Sequence, residues 1–194
     1  MKTMEDRREG ETAYLQDAWG QGKSLQSIQT IAYWICTFLI SFEMTAGAFW
    51  GLLHIEYVRV VFANLGYPIY LGTILGIWKL PFALVMFLPG LLRLKEWAYA
   101  GAVFNYTGAA ASHFLALGYA GLGSITTPGI IAPTFFAVIT IASWALRPPA
   151  RRLPAPPPSA ADQGIVRWIV PLLIVIALFV LSWVFLPKGG PPGS

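Results

Sequence analysis

Five runs of predominantly apolar residues, at 28–54, 68–90, 95–118, 128–147 and 165–186, dominate the chain. Each is long enough to cross the hydrocarbon core of a bilayer, which takes about 20 residues. In that core the backbone must satisfy its own hydrogen bonds, so such runs fold as helices. The charge content points the same way. Only 11% of the residues are charged, against about 25% in an ordinary globular domain. A soluble chain of 194 residues could not cover its surface with so few charges. The sequence predicts an all-α transmembrane bundle of five helices.

The positions of the basic residues set the topology. On one side lie Lys2, Arg7, Arg8, Lys23, Arg93, Lys95, Arg147, Arg151, Arg152 and Arg167; on the other lie only Arg59 and Lys188. Basic loops stay in the cytoplasm, so the N-terminus is expected inside and the C-terminus outside. The net charge of +4 therefore speaks of membrane topology and anionic lipid, and not of nucleic acid. Residues 1–27 read as a polar cytoplasmic arm, surface-lying or partly disordered, unlike the brief n-region of a cleavable signal peptide. Residues 28–148 form a four-helix unit. Residues 149–164 are a basic, proline-rich cytoplasmic linker favouring extended polyproline II structure. Residues 165–187 hold the fifth span, an appendage to the unit, and 188–194 are a Gly/Pro tail. Small residues in the third span (Ala98, Gly101, Gly108 to Ser112) and the second (Gly72, Gly76) mark these two as central helices.

An ionisable group inside the bilayer costs several kcal/mol and needs a partner or a purpose. Glu43 lies midway along the first span and Lys79 midway along the second, so the two share a depth and are expected to pair. Such a pair is either a structural bridge fixing register or a substrate or proton site. Asn105 and Tyr106 occupy the same layer of the third span. Tyr99, Tyr106 and His113 fall seven apart on one stripe, with Asn105 and Ser112 beside them. With His54, eleven residues from Glu43, they outline a polar track opening outward from the midplane. The candidate site is Glu43, Lys79, Asn105, Tyr106 and His113. Lone Cys36 excludes an intrachain disulfide and a cysteine metal cluster. The histidines and acids show no metal-ligand spacing, and phosphate-loop and dinucleotide fingerprints are absent. The tryptophans and tyrosines near span ends, Trp97, Tyr99, Trp144 and Trp168, suit the interface.

Several segments together carry a family resemblance. They are Leu65-Gly66-Tyr67-Pro68-x-Tyr70-Leu71, Leu75-Gly76-x-x-Lys79-Leu80, Leu88-Pro89-Gly90, Leu94-Lys95-Glu96-Trp97-Ala98-Tyr99-Ala100-Gly101 and Gly108-Ala109-Ala110-Ala111-Ser112-His113. Over about 30–148 the chain resembles the DoxX-like membrane proteins. The resemblance implies a four-helix core, and a link to quinone-associated oxidation, to resistance to quinone and thiol stress, or to accessory and assembly roles. Its motif residues here are Lys79, Lys95, Glu96, Trp97, Tyr99, Ser112 and His113. The chain departs from the pattern at Asn105, where an acidic residue is expected, and in its extra fifth span. An amide does not exchange a proton at ordinary pH, so a role resting on a carboxylate there either has moved to Glu43 or is absent from a specialised protein. Lys95 is expected to snorkel to head groups and Glu96 to complement a helix N-terminus.

Two functional classes remain open. One is an intramembrane enzyme or quinone-linked redox component in a bacterial-type plasma membrane, acting on a small apolar substrate through the buried polar layer. No cofactor is evident beyond a bound quinone or similar apolar molecule. The other is a non-enzymatic assembly or accessory subunit, with a membrane protein partner or a homo-oligomeric state. A transporter fits less well, because no internal repeat is visible.

Overall fold

The computed structural model describes residues 4–119, 128–153 and 166–185. Six helices account for nearly all of them: α1 (Met4–Leu53), α2 (Glu56–Asn64), α3 (Tyr70–Phe87), α4 (Leu92–Tyr119), α5 (Pro128–Ala145) and α6 (Val166–Phe185). A single 3₁₀ turn, Pro149–Arg151, follows α5, and no strand occurs among the described residues. The fold is all-α. The five long helices fall on the five apolar runs. Gly22–Leu53 and Tyr70–Phe87 are long and apolar enough to cross a membrane, and the apolar stretches Gly129–Ala145 and Ile169–Phe185 are shorter. Large apolar side chains point outward along every long helix, among them Ile31, Trp78, Phe104, Ile131 and Val184.

Three features differ from the sequence expectation. The N-terminal arm is not separate from the first apolar run, because α1 runs unbroken from Met4 to Leu53. No proline interrupts residues 4–53, and their glycines cost helix stability without stopping it. The first connection holds its own short helix, α2, whose Val58 is buried. Most tellingly, α1 is the central helix. It packs on α3, α5 and α6, while α4 packs on α5 and α3. A Cβ at Gly101 or Gly108 of α4 would meet nothing within 4 Å, so these glycines face outward and leave no close approach.

The close approach is instead between α1 and α3. A Cβ on Gly51 would lie 2.5 Å from the Gly72 carbonyl oxygen, and one on Gly76 would lie 2.8 Å from the Ala48 oxygen. Glycines four apart on both helices let the two backbones touch. The core below this contact gathers Ile40, Met44, Phe82, Met86, Tyr99, Ala102, Tyr106 and Ala137. Against α5, the α1 face Thr37, Ser41 and Thr45 is fully buried, as are Thr140 and Ser143 opposite. The last helix, read from the sequence as an appendage, is not detached either. α6 lies on α1 and α3, with the Phe49 and Phe179 rings 3.9 Å apart between centroids. The linker beyond Leu153 and the tail lie outside the described residues.

Candidate functional site

Glu43 on α1, Lys79 on α3 and Tyr106 on α4 converge at mid-bundle. The Lys79 ammonium stands 3.6 Å from one carboxylate oxygen of Glu43. The Tyr106 hydroxyl donates to the other oxygen. An ammonium in direct hydrogen-bond contact sits at about 2.7–2.9 Å, so the pair is matched in depth and not closed. Room for the lysine head comes from Gly47, one turn above Glu43, where a Cβ would lie 2.6 Å from Nζ. Pro81, two residues beyond Lys79 in α3, has no N–H. The carbonyl of Ile77 therefore lacks its usual helical donor beside the lysine. Tyr106 is held in place by stacking on Phe136 of α5, 5.5 Å between centroids. The side chains of Lys79 and Glu43 retain 16% and 26% of their exposure, so the cluster is reachable from outside the bundle.

The other predicted members lie apart from this cluster. Asn105 neighbours Tyr106 on α4 but is half-buried, and it makes no hydrogen bond among the described residues. His113 sits two turns further along α4, against the start of α5, where a Cβ on Gly129 would lie 2.6 Å from its Nδ1. His54 ends α1 with a left-handed φ of 48°, which takes it off the face of Glu43. It bonds instead to Thr73 on α3, Nε2 to Oγ1 at 2.7 Å. Tyr67 and Ser112 form a separate contact of 2.9 Å. These bonds do not join into the outward track the spacing suggested, because α1 stops at Leu53 and the positive φ at His54 turns that residue off the Glu43 face.

A second polar cluster closes the other end of the bundle. Arg147, following α5, makes bonds of 2.5 and 3.2 Å to the two oxygens of Glu96. Its guanidinium lies 5.0 Å from the Tyr99 ring centroid and 5.3 Å from that of Trp144. Trp144 donates its indole N–H to Glu96 as well, at 2.9 Å. The Tyr99 hydroxyl reaches Ser143 Oγ at 2.9 Å, and Ser143 reaches Thr37 Oγ1 at 2.9 Å. Arg151 donates to the Met86 carbonyl at 2.8 Å and covers the Trp34 ring at 4.5 Å. Arg152 donates to the carbonyls of Arg147 and Ala145.

This cluster corrects several expectations. Lys95 does not snorkel: it is 1% exposed and donates to the Leu88 carbonyl at the end of α3. The tight turn at Gly90 and Leu91, both at positive φ, brings it back over that helix end. Tyr99 is buried and not interfacial, at 3% exposure. Arg147 and Arg151, read from the sequence as topology signals, also neutralise the carbonyl ends of α5 and α3. Arg147 reaches the nearby Trp144 carbonyl, but its acid Glu96 and the Met86 carbonyl that Arg151 meets are 51 and 65 residues away, and no local motif announces them.

A family model described as the DoxX-like family matches residues 35–143, more than half of the chain. The matched stretch contains all of the mid-bundle cluster and ends before Trp144, Arg147 and α6. No curated protein and no solved structure matches the chain.

Proposed function

The chain belongs to the DoxX-like family, and from that premise we propose that it is a five-span membrane protein which binds a small apolar molecule at the Glu43–Lys79–Tyr106 cluster and acts on it there. That the protein belongs in a membrane follows from its family and its apolar helices. The proposed setting is a bacterial-type plasma membrane, with the N-terminus in the cytoplasm and the C-terminus outside. The ligand class is an apolar molecule carrying a carbonyl or hydroxyl, of which a quinone is one member.

The observation that carries this reading is the open geometry of Lys79. An ammonium has three donors, and this one rests in the slot left by Gly47 with its acid at 3.6 Å. A ligand carbonyl within reach of Nζ would have developing negative charge stabilised by the ammonium. Glu43 accepts or returns a proton, and Tyr106 holds the carboxylate in position. The test is native mass spectrometry of the purified protein, wild type against Lys79→Met. One small apolar molecule per chain, lost in the variant, supports the reading. A clean apo mass for both sinks it.

A second reading, a non-enzymatic subunit seated on another membrane protein, is favoured by the outer face of α4. There Trp97 is 78% and Phe104 75% exposed, with Gly101 and Gly108 open between and beyond them. Such a face suits a neighbouring transmembrane helix. Stoichiometric co-purification with a partner in mild detergent, abolished by Gly108→Leu, supports it. Recovery of a lone chain counts against it.

A further inference from the structure

The family match stops at residue 143, so α6 is an addition to the matched four-helix unit, and it lies on α1 and α3. Those two helices carry Glu43 and Lys79. We infer that α6 is the lipid-side wall of the Glu43–Lys79 site, and that its inward residue Leu178 determines what passes from the bilayer to the cluster.

Register supports this. The Phe49–Phe179 ring contact at 3.9 Å aligns α6 with α1. In the proposed topology both helices run from the cytoplasmic to the outer side, so they are parallel. Gly47 then lies two residues below Phe49, and the same step down α6 reaches Ala177, next to Leu178. Glu43 lies six residues below Phe49, about 9 Å along the axis, and the matching level of α6 is Leu173. The residues of α6 turned inward at these levels are Pro171 and Leu178, both buried, with Ile174 and Val175 half-buried between them. Ser182 continues this face toward the outer end at 2% exposure. Leu172, Leu173, Ile176 and Val180 point the other way, all near half exposure.

The face is apolar at the depth of the cluster, so α6 brings no competing partner for Lys79 or Glu43. It narrows the approach instead. The two charged side chains keep 16% and 26% exposure, so a path to them remains open. A slim apolar molecule fits such a slot better than a bulky one, which refines the ligand class proposed above and rests on that reading.

The experiment reads access without a natural ligand. Dicyclohexylcarbodiimide, an apolar carbodiimide, is added to the full chain in lipid nanodiscs, and modification of Glu43 is followed by peptide mass, with Glu43→Gln as the blank. Leu178→Trp is expected to slow labelling about fivefold or more, since added bulk at a packed contact is poorly accommodated. Leu178→Ala is expected to speed it. Leu172→Trp, on the outer face, is expected to leave the rate unchanged. Should Leu178→Trp misfold, the Leu178→Ala and Leu172→Trp pair still decides. Equal rates in wild type, Leu178→Ala and Leu172→Trp overturn the inference, as does absence of labelling in all three. Because no ligand takes part, failure here is separable from failure of the ligand reading, which the Lys79→Met mass measurement tests.

Discussion

Replacing Gly51 by alanine tests the claim that α1 and α3 meet backbone to backbone. The added Cβ would fall 2.5 Å from the Gly72 carbonyl oxygen and 3.2 Å from its carbon. Neither atom belongs to a flexible side chain, so the helices must part. Overpacking of this kind costs about 1–3 kcal/mol. For a chain of this length each kcal/mol moves the unfolding midpoint by roughly 2–4 °C, which puts the expected fall at roughly 2–12 °C. The paired control is Gly101→Ala on α4, where the new methyl meets nothing within 4 Å. There the substitution only removes glycine's entropic cost in a helix, a gain of about 0.5–1 kcal/mol. Thermal unfolding in one detergent, followed by helical circular dichroism, compares the two. Equal shifts for both variants would refute the close-approach reasoning, and a fall at Gly101 alone would reverse it.

Four further outcomes follow from the same geometry. Gly47→Ala should leave the fold intact, because the atom it meets is the mobile head of Lys79, yet native mass spectrometry should show loss of the ligand bound by wild type. Glu96→Gln should destabilise more than Arg147→Met. The first strands a guanidinium whose side chain is 5% exposed, at a cost of about 3 kcal/mol, while the second leaves a carboxylate still 32% exposed to solvent; the unfolding midpoints of the two single variants, compared in one detergent, measure the difference. Arg151→Gln should loosen the 3₁₀ turn from α1 and α3, seen as faster proteolysis at 149–153 with little change in midpoint. Reporter fusions after residue 194 should be active only outside the cytoplasm, and those after residue 90 only inside it.

The helices themselves are legible because long apolar runs announce helices by length and composition; of the five, Gly22–Leu53 and Tyr70–Phe87 are long and apolar enough to cross a membrane. The pairing of Glu43 with Lys79 is legible for a similar reason, since matching positions along neighbouring helices leave few alternatives. Tyr106 follows from its place in the same layer. The direction of the α4 glycines is not legible: a glycine permits close approach, but only packing decides which face receives it. Gly47 and Gly51 escape notice in a run where Gly72 and Gly76 look equally suitable, although the four-residue spacing is present in both. The Glu96–Arg147 clamp joins positions 51 apart, and the Thr37–Ser143 bond joins positions 106 apart. Counting Arg147 as a topology signal is compatible with its burial, so the count alone gave no hint of it.

The two acid–base pairs of this chain differ in ways that bear on their roles. Glu96 and Arg147 meet in a two-pronged contact at 2.5 and 3.2 Å, with aromatic rings beside the guanidinium and an indole N–H on the acid. Arginine suits this fixed fork, and its charge persists in any surroundings. Such a pair has little left to offer a ligand. Glu43 and Lys79 use the other cation, a compact charge on a flexible stem whose head rotates freely. Their contact is longer, 3.6 Å, a glycine keeps the space beside the ammonium clear, and some exposure remains on both side chains. Were register the only need, the Glu96–Arg147 fork at the other end of the bundle shows how this chain builds a closed pair. A pair left ajar at mid-bundle is what the ligand proposed above would complete, whereas a bridge that only fixed register would be expected to close as the Glu96–Arg147 fork does.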